Sequence, residues 1–137
     1  MLSNTAEYAL KAVLYLAERH GGPPVRAGEM ADALRIPRNY LAKILHELAR
    51  SGVLTSARGK LGGFRLARRP REIPLLMVVS RFDRIEARRS CLLGKRECTD
   101  RHPCAAHGRW KALGEQTAAF FRDTTVADLL QDGELAA

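Results

Sequence analysis

Apolar residues recur at helical spacing in three segments of the first fifty positions. The first predicts a mostly buried helix over residues 4–19, with apolar side chains at Ala6, Ala9, Leu10, Val13, Leu14, Leu16 and Ala17. The sequence HGGPP at 20–24 ends this helix, because glycine terminates helices and proline cannot continue them. A short second helix over residues 27–35 places Met30, Ala31 and Leu34 inward, and Ile36-Pro37 interrupts it.

The third segment, residues 38–51, has the clearest amphipathic pattern. Its apolar face has the spacing i, i+3, i+4 and i+7 and consists of Leu41, Ile44, Leu45 and Leu48. The opposite side carries a polar stripe at i, i+4, i+7 and i+11, formed by Asn39, Lys43, His46 and Arg50. We therefore predict a helix with one face in the core and the other open to solvent or a ligand.

Two short strands separated by a glycine-rich turn follow the third helix. Residues 53–56 are rich in β-branched side chains, and residues 64–67 alternate apolar and polar side chains, as a half-buried strand does. The sequence RGKLGG between them contains three glycines and two cations. This pattern predicts a β-hairpin with a basic tip.

The second half of the chain predicts three further helices and one loop. Pro74 begins a fourth helix that runs roughly to Ala87, and residues 88–103 form a loop because they show no period. A fifth helix over residues 105–122 has an apolar face of Trp110, Leu113, Thr117, Phe120 and Phe121. Thr125 and Asp128 resemble a capping box at the start of a last helix, which Gly133 ends.

The predicted fold is mainly α with a small β-hairpin wing. Its elements follow the order of a winged helix-turn-helix, extended by a long C-terminal dimerisation helix. We assign residues 1–73 to the winged helix-turn-helix region and residues 74–137 to a ligand-binding loop and the dimerisation helices. A chain of this length forms about one domain, so we expect the two regions to make one compact domain overall.

Positive charge is concentrated in the first half. The 137 residues carry a net charge of +8, and residues 1–70 hold 12 Lys/Arg against 5 Asp/Glu. A basic half points to a polyanion partner, although on charge alone a solvated basic surface explains it equally well. No apolar stretch is long enough to span a membrane and the N-terminus lacks a secretory pattern, so we expect a cytoplasmic protein without a membrane partner.

The helix-turn-helix and hairpin pattern makes double-stranded DNA the expected polyanion. Asn39 and Lys43 can form hydrogen bonds with base edges in the major groove. Arg38 lies near a helix N-terminus, where phosphates are favoured, and arginine at a wing tip suits the minor groove. The predicted DNA contacts are Arg38, Asn39, Tyr40, Lys43, His46, Arg58, Lys60 and Arg65.

Three cysteines and a histidine lie close together in the second half, as Cys91, Cys98, Cys104 and His107. Three thiolates and one imidazole make a four-ligand set, and the last two residues lie on one face of a helix start. The spacing C-x6-C-x5-C-x2-H is wider than that of usual zinc sites and favours a larger group, an iron–sulfur cluster. Structural zinc and free redox thiols are the alternatives.

An enzyme is disfavoured, because the chain contains no G-x-G-x-x-G, G-x-S-x-G or P-loop motif. Glu7, Glu29 and Glu47 are scattered over helix surfaces and form no acid/base pair. A small electron carrier is disfavoured as well, because it needs no basic helix-turn-helix half.

The wing sequence RGKLGGFRLARRP, followed by three cysteines and a C-x2-H motif before a Trp-containing helix, resembles the Rrf2 family of bacterial transcriptional regulators. The opening TAEYALKAVLYLA is also similar to the start of that family. The resemblance implies a dimeric winged-helix transcription factor with an iron–sulfur sensor held by Cys91, Cys98 and Cys104. In the IscR-like branch a histidine at the position of His107 completes a two-iron, two-sulfur cluster. In the NsrR-like branch the cluster has four irons, and an acid from the partner's first helix, at the position of Glu7, can serve.

We favour the two-iron cluster and His107 as its fourth ligand, with the four-iron cluster and Glu7 as alternatives. The apolar face of the fifth helix predicts a homodimer, in which Gly114 lets two helices approach closely. A dimer spaces two recognition helices by about one DNA turn, roughly 34 Å, so we expect a palindromic operator. The predicted function is a transcriptional regulator whose DNA affinity depends on a cluster that senses redox state, nitric oxide or iron. The alternative is a winged-helix DNA-binding protein with structural zinc or a thiol switch.

Overall fold

The computed structural model describes residues 2–85 and 106–130. Its first helix, α1 (Asn4–Glu18), confirms the predicted helix to within one residue. Ser3 caps the helix, because its hydroxyl accepts a hydrogen bond from the Ala6 amide at 3.1 Å. The Ser3 amide in turn donates to a carboxylate oxygen of Asp83 at 2.9 Å, which fixes the start of α1 against a distant part of the chain.

Two helices joined by a three-residue turn follow α1. Helix α2 (Ala27–Leu34) ends at Arg35, which has a left-handed conformation with a φ of 56°. Helix α3 (Arg38–Arg50) begins after Pro37. The turn holds this strained residue because Ile36 is buried and its amide donates to the Ala31 carbonyl at 3.0 Å.

Helix α3 confirms the predicted division into an apolar and a polar face. Its buried side chains are Leu41, Ile44, Leu45 and Leu48, and its exposed polar side chains are Asn39, Lys43, His46 and Arg50. Burial of each leucine or isoleucine stabilises the fold by about 1.5–3 kcal/mol, so the apolar face fixes how α3 is rotated about its own axis. That rotation turns the polar stripe to the surface.

The wing is an antiparallel hairpin of β1 (Leu54–Ala57) and β2 (Gly63–Leu66), each shifted by one residue from its predicted position. Val25, just before α2, pairs with the second strand through two backbone hydrogen bonds with Phe64, of 2.9 and 2.7 Å. The wing is therefore joined directly to the helix-turn-helix. Leu54, Phe64 and Leu66 bury the inner face of the hairpin.

The second half begins with a 3-10 turn (Pro70–Glu72), followed by α4 (Leu75–Val79), α5 (His107–Asp123) and α6 (Val126–Leu130). The predicted fourth helix was too long: α4 ends at Val79 instead of running to Ala87. The chain leaves the regular helix through a tighter turn, in which the Phe82 amide bonds to the Val79 carbonyl at 3.0 Å, and the buried Asp83 carboxylate then accepts a hydrogen bond from the Ser3 amide. The predicted loop at 88–103, Ala87 and Gly133 lie outside the described residues.

Helix α6 and the residues just before it contact the segment around Pro74. The capping pair predicted at the last helix is confirmed, because the Thr125 amide donates to Asp128 at 2.9 Å and the Asp128 amide donates to the Thr125 hydroxyl at 3.3 Å. A bridge pairs Pro74 with Thr125. Helix α1 is the common neighbour of α2, α3, α4 and α6, whereas α5 packs against α4. None of the helices within residues 2–85 and 106–130 combines the length and apolar character needed to cross a membrane.

Candidate nucleic-acid interface

Two polar side chains near the start of α3 stand free for a ligand. Asn39 and Lys43 are one helical turn apart and exposed. Neither forms a hydrogen bond or ion pair within the described part of the chain. An amide and an ammonium group placed in this way can donate to acceptors on base edges or on phosphates without first breaking a bond inside the protein.

Arg38 is exposed as well, but a neighbouring carboxylate holds it. Its Nη2 lies 2.9 Å and its Nε 3.4 Å from the two carboxylate oxygens of Asp32 on α2. The hydrogen bond and the negative charge of Asp32 together raise the pKa of Arg38 above its usual value. The guanidinium also lies over Gly28, where a Cβ atom would come within 3.5 Å of it. The pair leaves the other guanidinium donors available in a fixed direction.

Tyr40 has two neighbours in the first helix. Its hydroxyl is hydrogen-bonded to the hydroxyl of Thr5, and its ring packs edge-on against Tyr8 with centroids 5.7 Å apart. The side chain is 38% exposed. This predicted DNA contact thus also joins the N-terminal turn of α3 to the first turns of α1.

Farther along the polar stripe, His46 packs its ring edge-on against Phe64 of the wing, with centroids 5.5 Å apart. Arg50 lies 3.7 Å from Glu47, and the same carboxylate lies 3.8 Å from Arg81. The far end of the stripe therefore contacts the wing and the segment after α4, whereas its near end has no such contact in the part of the chain that the structure describes.

The wing tip is a tight turn with exposed side chains. The Gly62 amide donates to the Gly59 carbonyl at 3.0 Å, which places Lys60 and Leu61 at the two central positions of the turn. Arg58, Lys60 and Arg65 are exposed, and none of them has an acidic partner within residues 2–85 and 106–130. Arg26, which precedes α2, donates a hydrogen bond to the Lys60 carbonyl.

The two predicted sites differ in how far the structure describes them. Cys91, Cys98 and Cys104 lie outside the described residues. His107 is the first residue of α5 and is half-buried, and Glu7 is exposed in the first turn of α1. Within residues 2–85 and 106–130, no three histidine, cysteine, aspartate or glutamate side chains come together as a metal-binding group.

Sequence reasoning missed the residues that hold these candidates in place. Asp32, Arg26 and Thr5 each contact a predicted DNA-binding residue from another element. No periodic pattern marks them, because each pairing depends on how two elements meet. The acidic residue six positions before Arg38 is the one signal that the sequence offered.

Known proteins with similar sequences are transcriptional regulators. The Rrf2 family, described as iron-dependent transcriptional regulators, matches residues 2–132. A protein of Aquifex aeolicus named as an HTH-type transcriptional regulator is 37% identical over 132 residues, which cover 95% of this chain and 91% of that protein. The HTH-type transcriptional regulator NsrR of Geobacillus kaustophilus is 34% identical over 135 residues, with coverage of 96% and 90%.

Solved structures share the fold. CymR, the global cysteine regulator of B. subtilis, superimposes with a TM-score of 0.82 over 98% of both chains, at 22% identity. IscR of T. potens superimposes with a TM-score of 0.78 over 99% of this chain and 90% of that one, at 24% identity. The named relatives are transcriptional regulators and not enzymes. With its winged helix-turn-helix, its exposed polar stripe on α3 and a match along nearly its whole length, the chain belongs to the Rrf2 family of transcriptional regulators.

Proposed function

We propose that this protein is a DNA-binding transcriptional regulator whose affinity for its operator is controlled by an iron–sulfur cluster. The observation that carries the DNA-binding part is the polar face of α3, where Asn39 and Lys43 are exposed above a buried apolar face and have no partner within residues 2–85 and 106–130. A major groove is wide enough to admit such a helix. The basic tip of the wing then reaches the adjacent minor groove.

Each predicted contact has a distinct task in this proposal. Arg38, held by Asp32, and Arg65 on the wing bind phosphates and set the position of the protein on the duplex. Asn39 and Lys43 bind base edges, and His46 and Tyr40 border them. Arg58 and Lys60 lie along the minor groove, whose phosphate edges and negative potential attract cations.

The donor set near α5 suits an iron–sulfur cluster. Cys91, Cys98 and Cys104 supply three thiolates, which are the usual cluster ligands, and His107 supplies an imidazole that can replace a fourth. The N-cap of α5 is Ala106, whose methyl side chain cannot cap the helix. Its first amides and its dipole favour negative charge, which a thiolate-rich group provides. When bound, the cluster supplies a centre that reacts with oxidants and nitric oxide. Its occupancy also depends on the supply of iron.

The packing order suggests how ligand binding near His107 reaches the DNA-binding surface. Binding of a cluster by the cysteines and His107 fixes the start of α5. Helix α5 packs against α4, α4 packs against α1, and α1 contacts α3. A change at the start of α5 therefore acts on the recognition helix through a continuous series of packed helices, and in a dimer it sets the spacing of the two DNA-reading heads.

The cysteines leave a second candidate for the signal. Three thiols within 14 residues, between 91 and 104, can also form a reversible disulfide or hold structural zinc. Either would leave the DNA-binding half as described. The two candidates differ only at the cysteines, which hold a cluster in the first candidate and form a disulfide or hold zinc in the second.

Anaerobic purification distinguishes these candidates. We expect a coloured protein whose absorption and Mössbauer spectra report a cluster, and a duplex affinity that changes about tenfold when the cluster is removed. A colourless protein with stoichiometric zinc would overturn the sensor, and reversible thiol oxidation that changes affinity without any iron would establish the thiol switch.

The fourth ligand is tested by two single substitutions after identical anaerobic reconstitution. We expect His107→Ala to change or abolish the cluster spectrum and Glu7→Ala to leave it intact, because His107 lies three residues from Cys104 in the same chain. Glu115→Ala, which removes an exposed carboxylate from α5, is the control. The opposite pattern would assign the ligand to Glu7 and favour the four-iron cluster.

A further inference from the structure

The most exposed large apolar side chain in the described residues lies at the wing tip. Leu61 is 89% exposed, far more than Leu113 or Phe120. It occupies the third position of the turn from Gly59 to Gly62, directly after Lys60. None of the functions assigned above uses this side chain, since the wing's expected contribution was its positive charge.

The turn that presents Leu61 is held from three sides. The Gly62 amide closes it through the Gly59 carbonyl. Arg26, at the N-cap of α2, donates to the Lys60 carbonyl, one peptide away from Leu61. Just beyond the turn, Gly63 lies so close to the Val25 carbonyl that a Cβ atom would come within 2.5 Å of it. Leu61 therefore projects from a turn whose backbone is fixed to the helix-turn-helix.

The charges around Leu61 identify the kind of surface that can cover it. Arg58 and Lys60 flank it and are exposed without acidic partners in the described part of the chain. Two free cations beside an apolar side chain fit a partner with regularly placed negative charge and an apolar surface between the charges. The minor groove of DNA has this character, because phosphates line its edges and deoxyribose rings form its walls.

We propose that Leu61 enters the minor groove of the operator between the phosphates bound by Arg58 and Lys60, and contacts the sugar walls and base edges. This inference rests on the proposed DNA-binding function. Apolar side chains that enter the minor groove favour steps that open easily, so Leu61 contributes shape preference where the cations contribute only charge. Arg26 is a positioning residue, since its bond to the Lys60 carbonyl sets the direction of Leu61.

The first experiment compares two neighbouring substitutions on a duplex selected from a random library by the wild-type protein. Leu61→Ala is expected to weaken binding roughly tenfold while leaving the dependence of affinity on salt unchanged, because an apolar contact releases no counterions. Lys60→Ala, the matched control from the same turn, is expected to reduce the salt slope by about one. Both positions are exposed, so thermal unfolding should match that of the wild type.

The second experiment changes the groove instead of the protein. Replacing adenine by 2,6-diaminopurine under the wing adds an amino group to the floor of the minor groove and leaves the major-groove edge as it was. We expect this to weaken the wild type several-fold and to have little effect on Leu61→Ala. Arg26→Lys keeps the charge but loses the planar hydrogen-bonding group, and its effect should be smaller in the Leu61→Ala background than in the wild type.

The outcomes separate this inference from the function on which it rests. If the wild type selects and binds no duplex, the DNA-binding function itself fails. If the wild type binds DNA and Leu61→Ala binds equally well, Leu61 faces a protein partner or solvent and only this proposal is overturned. A reduced salt slope in Leu61→Ala would also overturn it, because the effect would then act through the neighbouring cations.

Discussion

At the residue scale, the side chains on the α3 surface differ in whether the protein itself holds them. Arg38 is bound to Asp32 and Tyr40 to Thr5, so both have a defined direction before any ligand arrives. Asn39 and Lys43 have no such partner within the described residues, so their side chains can adapt to the ligand groups that they meet. Fixed groups suit phosphates, which recur at every step, whereas adaptable groups suit bases, which vary.

This difference predicts two distinct phenotypes. Lys43→Ala should change the preference for particular base pairs by about 1–3 kcal/mol, because Lys43 is free to meet base edges. Arg58→Ala should weaken binding to matched and scrambled duplexes alike and lower the salt slope, because a wing cation acts mainly through phosphates and groove potential. Titrations of both variants on both duplexes measure this. If Lys43→Ala kept every base preference of the wild type, α3 would not be the recognition helix.

At the element scale, the helices and the hairpin could be predicted because each has a strong local signal. The apolar face of α3 and the capping pair at Thr125 and Asp128 were both visible in the sequence. Helix α4 was predicted too long, because its end depends on a bond between Asp83 and Ser3, which are 80 residues apart. The 20 residues from 86 to 105, with all three cysteines, lie outside the described residues.

The glycines of the wing show a similar limit to what the sequence alone can predict. Their place in a turn between two strands was visible in the sequence. The structure gives a reason inside the protein for two of them: a Cβ atom at Gly62 would lie 2.3 Å from the Ala57 carbonyl, and one at Gly63 would lie 2.5 Å from the Val25 carbonyl. The contact at Gly63 could not be found without knowing that Val25 pairs with the wing, and the contact at Gly62 depends on how the turn folds back on Ala57.

We therefore expect Gly63→Ala to be far more damaging than Gly59→Ala. Both glycines have a positive φ, of 144° and 97°, so both alanines are strained. Only at Gly63 does the new methyl group collide with backbone, whereas nothing lies within 4 Å at Gly59. Gly59→Ala should cost about 1–2 kcal/mol of unfolding free energy, and Gly63→Ala should cost more and expose the Phe64 amide to hydrogen exchange. Equal costs in chemical denaturation would show that the Val25 bridge does not hold the wing.

At the scale of the whole molecule, α1 links the parts that a regulator must couple. Its first turns contact Tyr40 of α3, its cap is bound by Asp83 after α4, and its body packs against α6. The DNA-binding half and the C-terminal half thus share one core rather than two. This arrangement could not be read from the charge difference between the halves, which separates their surfaces but not their packing.

One face of α5 is apolar and exposed in the single chain. Helix α5 has Phe121 buried and contacts α4, but Leu113 and Phe120 are 54% and 52% exposed, and Trp110 and Thr117 on the same side are only half-buried. Phe120 packs edge-on against Phe121, with centroids 5.2 Å apart, which holds the exposed ring in place. Gly114 is beside this face, and its Cβ position has no atom within 4 Å. An ordered apolar face of this size suits a second copy of the same helix.

We therefore predict a homodimer through α5, which Leu113→Glu should dissociate. An unpaired carboxylate in the apolar interface should raise the dimer dissociation constant by about a hundredfold or more, since burying such a charge costs several kcal/mol. Ala112→Glu adds the same charge at an exposed position off the apolar face, about 120° around the helix from its centre, and should leave the dimer intact. Because both positions are exposed in the single chain, neither change should affect folding of the protomer. Sedimentation at micromolar concentration measures the oligomeric state of the wild type and of both variants. A wild-type monomer, or equal behaviour of the two variants, would place any assembly of this protein on another surface.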